Sequence, residues 1–234
     1  MLYAIVSGAT HGIGKAIAEK LLSEGFSIAV CSRNKKELDQ LQAGWNERYP
    51  EASIIASEAD ISLKEDAQSF GDTVLANFPQ IDMLVNNVGT YFPGKLSEEA
   101  EGQLEELMAV NMYSAYHLTR RVLPTMKSAG RGHIFNMCSI ASLKAYPNGG
   151  AYGVSKYALM GFSENLREEL KTENIKVTAI CPGATDSRSW AAAAIEPGRI
   201  MEPEDVATML WAAYSLSAAA NVETIVMRPV KGDL

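Results

Sequence analysis

Tyr152 and Lys156 stand four residues apart in a stretch of helical period, so their side chains share one face. An ammonium beside a phenol stabilises the phenolate, so the pairing predicts a Tyr152 pKa lowered from about 10 towards the working range. Such a phenol can serve as general acid to a developing alkoxide. Ser139 follows the apolar run that ends at Cys138, thirteen residues before Tyr152, and its hydroxyl can bond a carbonyl oxygen. Taken alone, the Tyr–Lys spacing also describes an ordinary surface pair.

A second constellation lies near the start. The run Ser7-Gly8-Ala9-Thr10-His11-Gly12-Ile13-Gly14 follows an apolar strand candidate and precedes a helical one. Glycines there permit a tight turn and let backbone N–H groups approach a pyrophosphate, with the helix N-terminus adding positive potential. The spacing is G-x-x-x-G-x-G, not G-x-G-x-x-G, and a plain turn is the competing reading. Its place after the first strand favours dinucleotide binding.

The end of the second strand candidate reads Cys31-Ser32-Arg33-Asn34-Lys35-Lys36. An acid here would bond a ribose 2′-OH, whereas an arginine accommodates a 2′-phosphate. Three cations and no carboxylate favour NADP(H). A solvated basic helix start is the alternative, and it would oppose the helix dipole.

Positioning these groups requires a regular scaffold. Strand candidates are Leu2–Ser7, Ser27–Ser32, Ser53–Ser57, Ile81–Asn86, Gly132–Cys138, Lys176–Cys181 and Glu223–Met227. Helical candidates between them are Gly14–Ser23, Lys36–Arg48, Glu65–Asn77, Glu101–Met126, Tyr152–Lys171 and Pro203–Ala213, on apolar spacings of three and four. Val- and Ile-rich strands with little alternation suit burial on both faces. The β-then-α order predicts an α/β, doubly wound Rossmann fold with a parallel sheet and helices on both faces. No repeat or linker interrupts the 234 residues, so one NADP-binding domain over 1–234 is expected. The stretch 182–202, which contains four successive alanines and Pro197-Gly198, has no clear element and reads as a substrate loop, with Trp190 and Met201 as pocket candidates.

At 47% hydrophobic and 21% charged, the chain has the composition of a soluble globular protein. Its net charge of −7 argues against nucleic acid or an anionic membrane as partner. Cys31, Cys138 and Cys181 cannot close a disulfide framework and read as buried thiols. The start lacks a signal-peptide pattern, and no apolar stretch is long enough to span a membrane. A cytoplasmic location is expected. His11, His117 and His133 lack metal-ligand spacing, so no metal site is expected, and His11 reads as a backbone contributor only.

Along its whole length the sequence resembles the short-chain dehydrogenases/reductases. The matching motifs are Gly8-x-x-x-Gly12-x-Gly14, Asp60-Ile61, Asn86-Asn87-Val88-Gly89, Asn111, Ser139, Tyr152-x-x-x-Lys156 and Pro182-Gly183. The resemblance implies a seven-stranded parallel sheet and a nicotinamide cofactor. It also implies a catalytic tetrad in which Asn111 holds a water chain to Lys156 while Ser139 and Tyr152 grip the carbonyl. By the same match Asp60 would bond the adenine amino group, Thr185 the nicotinamide carboxamide, and Gly89 would let the ribose approach. Asn86 would only tie strands together. Ser7 replaces a usual threonine and Val88 a usual alanine. A homodimer or homotetramer packed through 101–126 and 152–171 is implied as well.

An NADPH-dependent carbonyl reductase is therefore expected, acting on a small-molecule carbonyl substrate. A 3-oxoacyl-thioester reductase is the rival enzyme, and a non-catalytic NADP-sensing protein the rival class. The ending Arg228-Pro229-Val230-Lys231-Gly232-Asp233-Leu234 resembles that of bacterial sepiapterin reductases, as does Ile81-Asp82-x-Leu84-Val85-Asn86. That resemblance implies a pterin held by Asp233, and Trp190 would cover its ring.

Overall fold

The computed structural model describes residues 1–190 and 195–233. Seven strands, all parallel, form one sheet in the order β3-β2-β1-β4-β5-β6-β7. They are β1 (Leu2–Ser7), β2 (Phe26–Ser32), β3 (Ile54–Glu58), β4 (Met83–Asn86), β5 (Gly132–Met137), β6 (Ile175–Pro182) and β7 (Thr224–Met227). Strand order reverses between β1 and β4. In open α/β sheets the crevice beyond the strand ends at that point takes ligands.

Burial on both faces explains the unbroken apolar runs. In β1, Ala4 and Val6 pack with Ile17 and Leu21 of α1 (Gly12–Ser23), Leu38 of α2 (Lys35–Arg48) and Leu210 of α7 (Pro203–Tyr214). Ile5, between them in sequence, faces the opposite layer. There it joins Phe70 and Val74 of α3 (Lys64–Asn77), Leu118 and Val122 of α5 (Ser114–Ala129), and Leu166 of α6 (Gly150–Leu170). The strands β1 to β6 thus contribute to two cores, whereas β7 at the edge packs into the first alone.

Helix starts follow local chemistry. The Asn34 side chain accepts from Glu37 N at 3.2 Å and caps α2, offsetting the unfavourable basic start. Glu202 and Asp205 form a capping box at α7, with Pro203 at the first helical position.

The stretch expected as one helix over 101–126 is instead broken. A short α4 (Gln103–Met108) runs into a π-helical turn over Ala109–Tyr113 before α5 resumes. A π-turn inserts one extra residue per turn, which rotates the side chains that follow without ending the apolar stripe. Asn111 lies in that turn and is wholly buried. The expected loop over 182–202 is pinned at its base, where Thr185 bridges Met201 and Asp186 N donates to the Met201 carbonyl at 2.9 Å. Met201 belongs to that bridge and does not line the main cleft. A 3-10 turn covers Arg188–Trp190. Ala191–Ala194 and Leu234 lie outside the described residues.

All three cysteines are buried free thiols. Among the described residues no helix is long and apolar enough to cross a membrane.

Candidate active site

The β1–β4 crevice is laced by the residues of two motifs. The Ser7 hydroxyl donates to Val85 O and accepts from the N–H groups of Asn87 and Val88. Serine therefore supplies the hydroxyl that threonine would bring. The Asn87 amide donates at 3.0 Å to the carbonyls of both Ser7 and Gly8, so that side chain serves the β1–β4 splice. Any Cβ on Gly14 would run into Gly8 O and the Asn87 amide. Gly8 and Gly12 hold φ of +67° and +51°, a region natural to glycine. The result is a bare backbone turn opening onto the N-terminus of α1. Asn86 ties β4 to β5 and α5 through Asn136 and Thr119.

A cleft of about 1760 Å³ runs from this turn across the sheet's C-terminal edge. That exceeds the roughly 300–1,000 Å³ of a single drug-sized site, leaving room for a dinucleotide and a second molecule. Thr10, Gly12, Ile13, Ser32 and Arg33 line one end. Asp60, Ile61, Pro182, Gly183 and Thr185 also reach it. Arg33 is largely exposed, its guanidinium 3.9 Å from Asp60, whose other oxygen takes the Ser62 hydroxyl at 2.6 Å. Lys35 turns to Asp39 instead. Thr185 is buried and donates to Gly183 O.

At the other end Asn111, Ser139, Tyr152 and Lys156 come together. Three devices place them. The π-turn turns Asn111 inward, where its amide oxygen accepts from Thr90 N at 2.8 Å and its amide nitrogen donates to Thr90 O and Ser155 Oγ. Ser139 starts a 3-10 turn after β5, accepting from Ala141 N at 3.1 Å. Tyr152 and Lys156 share a face of α6. Gly89 is the hub: a Cβ there would lie 3.2 Å from Asn111 Oδ1 and 3.3 Å from Lys156 Nζ.

The electrostatics correct one expectation. Lys156 is buried, and its ammonium donates to Met137 O at 2.9 Å while standing 5.9 Å from the Tyr152 ring centre. It does not depress the phenol in this geometry. Burial pushes Tyr152 up to about 12, only partly opposed by a hydrogen bond with Ser139. The same burial lowers Lys156 from its ordinary value.

Two further expectations are revised. The His11 side chain is not idle: Nε2 meets Arg188 at 2.8 Å, and Nδ1 lies 3.5 Å from Glu37, which itself takes Arg188 at 2.6 Å. Desolvation, then Arg188, lower the His11 pKa. Asp233 and Trp190 do line the cleft, but the Asp233 carboxylate is already ion-paired with Arg228. Sequence reading missed the aromatic wall: Tyr91 meets Tyr152 edge-on at 4.8 Å, and Tyr146 lines the same cleft. Tyr91 sits two residues beyond Gly89, where only that motif could have flagged it. No group of three or more metal-ligating side chains occurs among the described residues.

The profile of the short chain dehydrogenases matches residues 2–196. The chain belongs to that family, whose members are oxidoreductases. An uncharacterised oxidoreductase of Staphylococcus epidermidis is 28% identical to this family member over 97% of its length and 96% of the relative's. A metagenomic short-chain oxidoreductase solved in complex with NADP is 30% identical, with a TM-score of 0.83 over 98% of this chain and 97% of that one. The L-sorbose reductase of Gluconobacter frateurii, solved with NADPH and L-sorbose, has 25% identity and a TM-score of 0.89, covering 97% and 95%.

Proposed function

We propose that the protein is an NADPH-dependent carbonyl reductase of the cytoplasm, one domain that works as a homo-oligomer. The observation that carries this is the convergence of Asn111, Ser139, Tyr152 and Lys156 at one end of a cleft whose other end is a bare glycine turn. The glycine cradle and the exposed Arg33 fit a phosphorylated dinucleotide, and the similar NADP-bound structure supports that choice. Bound NADPH would supply a hydride to the carbonyl carbon.

The chain's own groups do the rest. Tyr152, held protonated by burial, donates its proton to the carbonyl oxygen as charge develops there. Ser139 holds that oxygen by a second hydrogen bond. Lys156 and Asn111 both stand against Gly89, Lys156 anchoring the helix of Tyr152 to Met137 O and Asn111 holding Thr90. At the far end the amides of Gly12, Ile13 and Gly14 would hold the pyrophosphate and Arg33 the 2′-phosphate. Asp60 would serve the adenine and Thr185 the carboxamide.

Within that reading, a pterin side-chain ketone is the finer assignment. Asp233 and Trp190 on the cleft wall support it, with Arg228 sharing the carboxylate. The test is kcat/KM with NADPH for sepiapterin against an acetoacetyl thioester, in wild type and Asp233→Asn. Preference for sepiapterin that Asp233→Asn removes supports the pterin. Preference for the thioester moves the assignment to 3-oxoacyl reduction. No turnover of any carbonyl, with NADPH bound, leaves a cofactor-sensing protein.

A further inference from the structure

The catalytic helix has no cap of its own. α6 is 21 residues long and begins at Gly149-Gly150, where no side chain of the preceding residue bonds the first turn. The orphan amides of a helix N-terminus need an acceptor, and a carboxylate is favoured there by the helix dipole. It comes from 52 residues away. Both oxygens of Glu99 accept from Ala151 N, at 2.9 and 3.2 Å. Ala151 immediately precedes Tyr152.

The contact is built closely. Gly150 has φ of +43°, and a Cβ on it would strike Glu99 Oε1 and come within 2.6 Å of Gly94 O. Gly94 N donates to Asn148 O at 3.0 Å. At its other end the same segment is fixed by Asn111, which bonds both backbone groups of Thr90. Tyr91 lies between, edge-on to the Tyr152 ring. The segment 90–99 thus touches the phenol's ring, the amide before it and the buried asparagine.

We propose that Glu99 is a positioning residue for the reaction, its carboxylate capping α6 at Ala151 so that the Tyr152 hydroxyl is held beside Ser139. The role rests on the reading of Tyr152 as proton donor. A displacement of about 1 Å at a reacting group can cost on the order of a hundredfold in rate. Capping alone would change stability without changing turnover per folded site.

The experiment compares Glu99→Gln, Glu99→Asp and Glu99→Ala, with folded sites counted by NADPH fluorescence titration. Glu99→Gln keeps an acceptor of the right reach; Glu99→Asp keeps the charge but draws it off the amide. Expected kcat per titrated site, on the best carbonyl of the panel, is within about twofold of wild type for Gln. It falls about tenfold or more for Asp and Ala. Tyrosinate titration is the second readout: the Tyr152 phenol falls towards about 10 in Asp and Ala as its site loosens, and not in Gln. Full kcat per site in Asp and Ala, or a loss in Gln as large as in Ala, would overturn the role. Should wild type reduce no carbonyl, the reductase reading fails by itself, and an unshifted Tyr152 titration in Asp and Ala would then overturn this one.

Discussion

Lys156 lies one helical turn beyond Tyr152, yet its ammonium bonds the Met137 carbonyl at 2.9 Å and stays 5.9 Å from the phenol ring centre. The lysine anchors α6 to the end of β5. The phenol therefore remains an acid across the physiological range, as proton donation in a reduction requires. Spectrophotometric titration of the cofactor-free protein, with Tyr152→Phe subtracted, should show this phenol ionising well above its usual 10, near about 12. Ionisation near neutrality would contradict the geometry.

Arg33 reaches the cleft with its guanidinium largely exposed and 3.9 Å from the Asp60 carboxylate. A charge-assisted hydrogen bond to a 2′-phosphate is worth roughly 1.5–3 kcal/mol. Arg33→Ala should weaken NADPH by about ten- to a hundredfold while sparing NADH. Calorimetric titration of both cofactors checks it, and equal losses for the two would show that Arg33 reads no phosphate.

His133 carries a stability prediction. The Thr178 hydroxyl gives its one proton to Val222 O, so His133 Nε2 must be the donor to Thr178 Oγ1 at 2.7 Å. Nδ1 is left buried without a partner among the described residues. Desolvation, with Lys176 assisting, lowers this histidine to about 3. Between pH 6.5 and 3 the unfolded chain binds the proton and the folded chain does not, so stability falls as pH falls. The slope should approach roughly 1.4 kcal/mol per pH unit in that window. Replacing the ring by phenyl keeps the stack on Phe135 and removes the titration. Urea melts of His133→Phe should show a shallower loss than wild type between neutral and mildly acid pH. Parallel curves would contradict the assignment.

What was legible in the sequence follows from what leaves a local trace. The central strands are rich in apolar residues because both faces are buried, and the centres of all seven are within a residue or two of the expected runs. The gathering of Ser139, Tyr152 and Lys156 was legible because two are a helical turn apart and the third follows a strand. The π-turn at Asn111 was not, because helical backbone runs unbroken through it and no residue type marks the extra position. The His11–Glu37–Arg188 cluster joins residues 151 and 177 positions apart, and no spacing rule spans that separation. Glu99 and Tyr91 were missed for the same reason: their partners are set by tertiary closure. The lowered phenol was misjudged because helical spacing fixes direction but not whether a backbone carbonyl takes the ammonium first.

The central claim is that Tyr152 donates the proton while other groups hold the cofactor. Steady-state kcat of Tyr152→Phe on the best carbonyl, measured beside its NADPH dissociation constant, tests it most directly. The expected result is a fall of roughly a hundred- to ten-thousandfold in kcat, with NADPH affinity within about threefold of wild type. Retention of more than about a tenth of kcat would contradict it and remove Tyr152 from the chemistry.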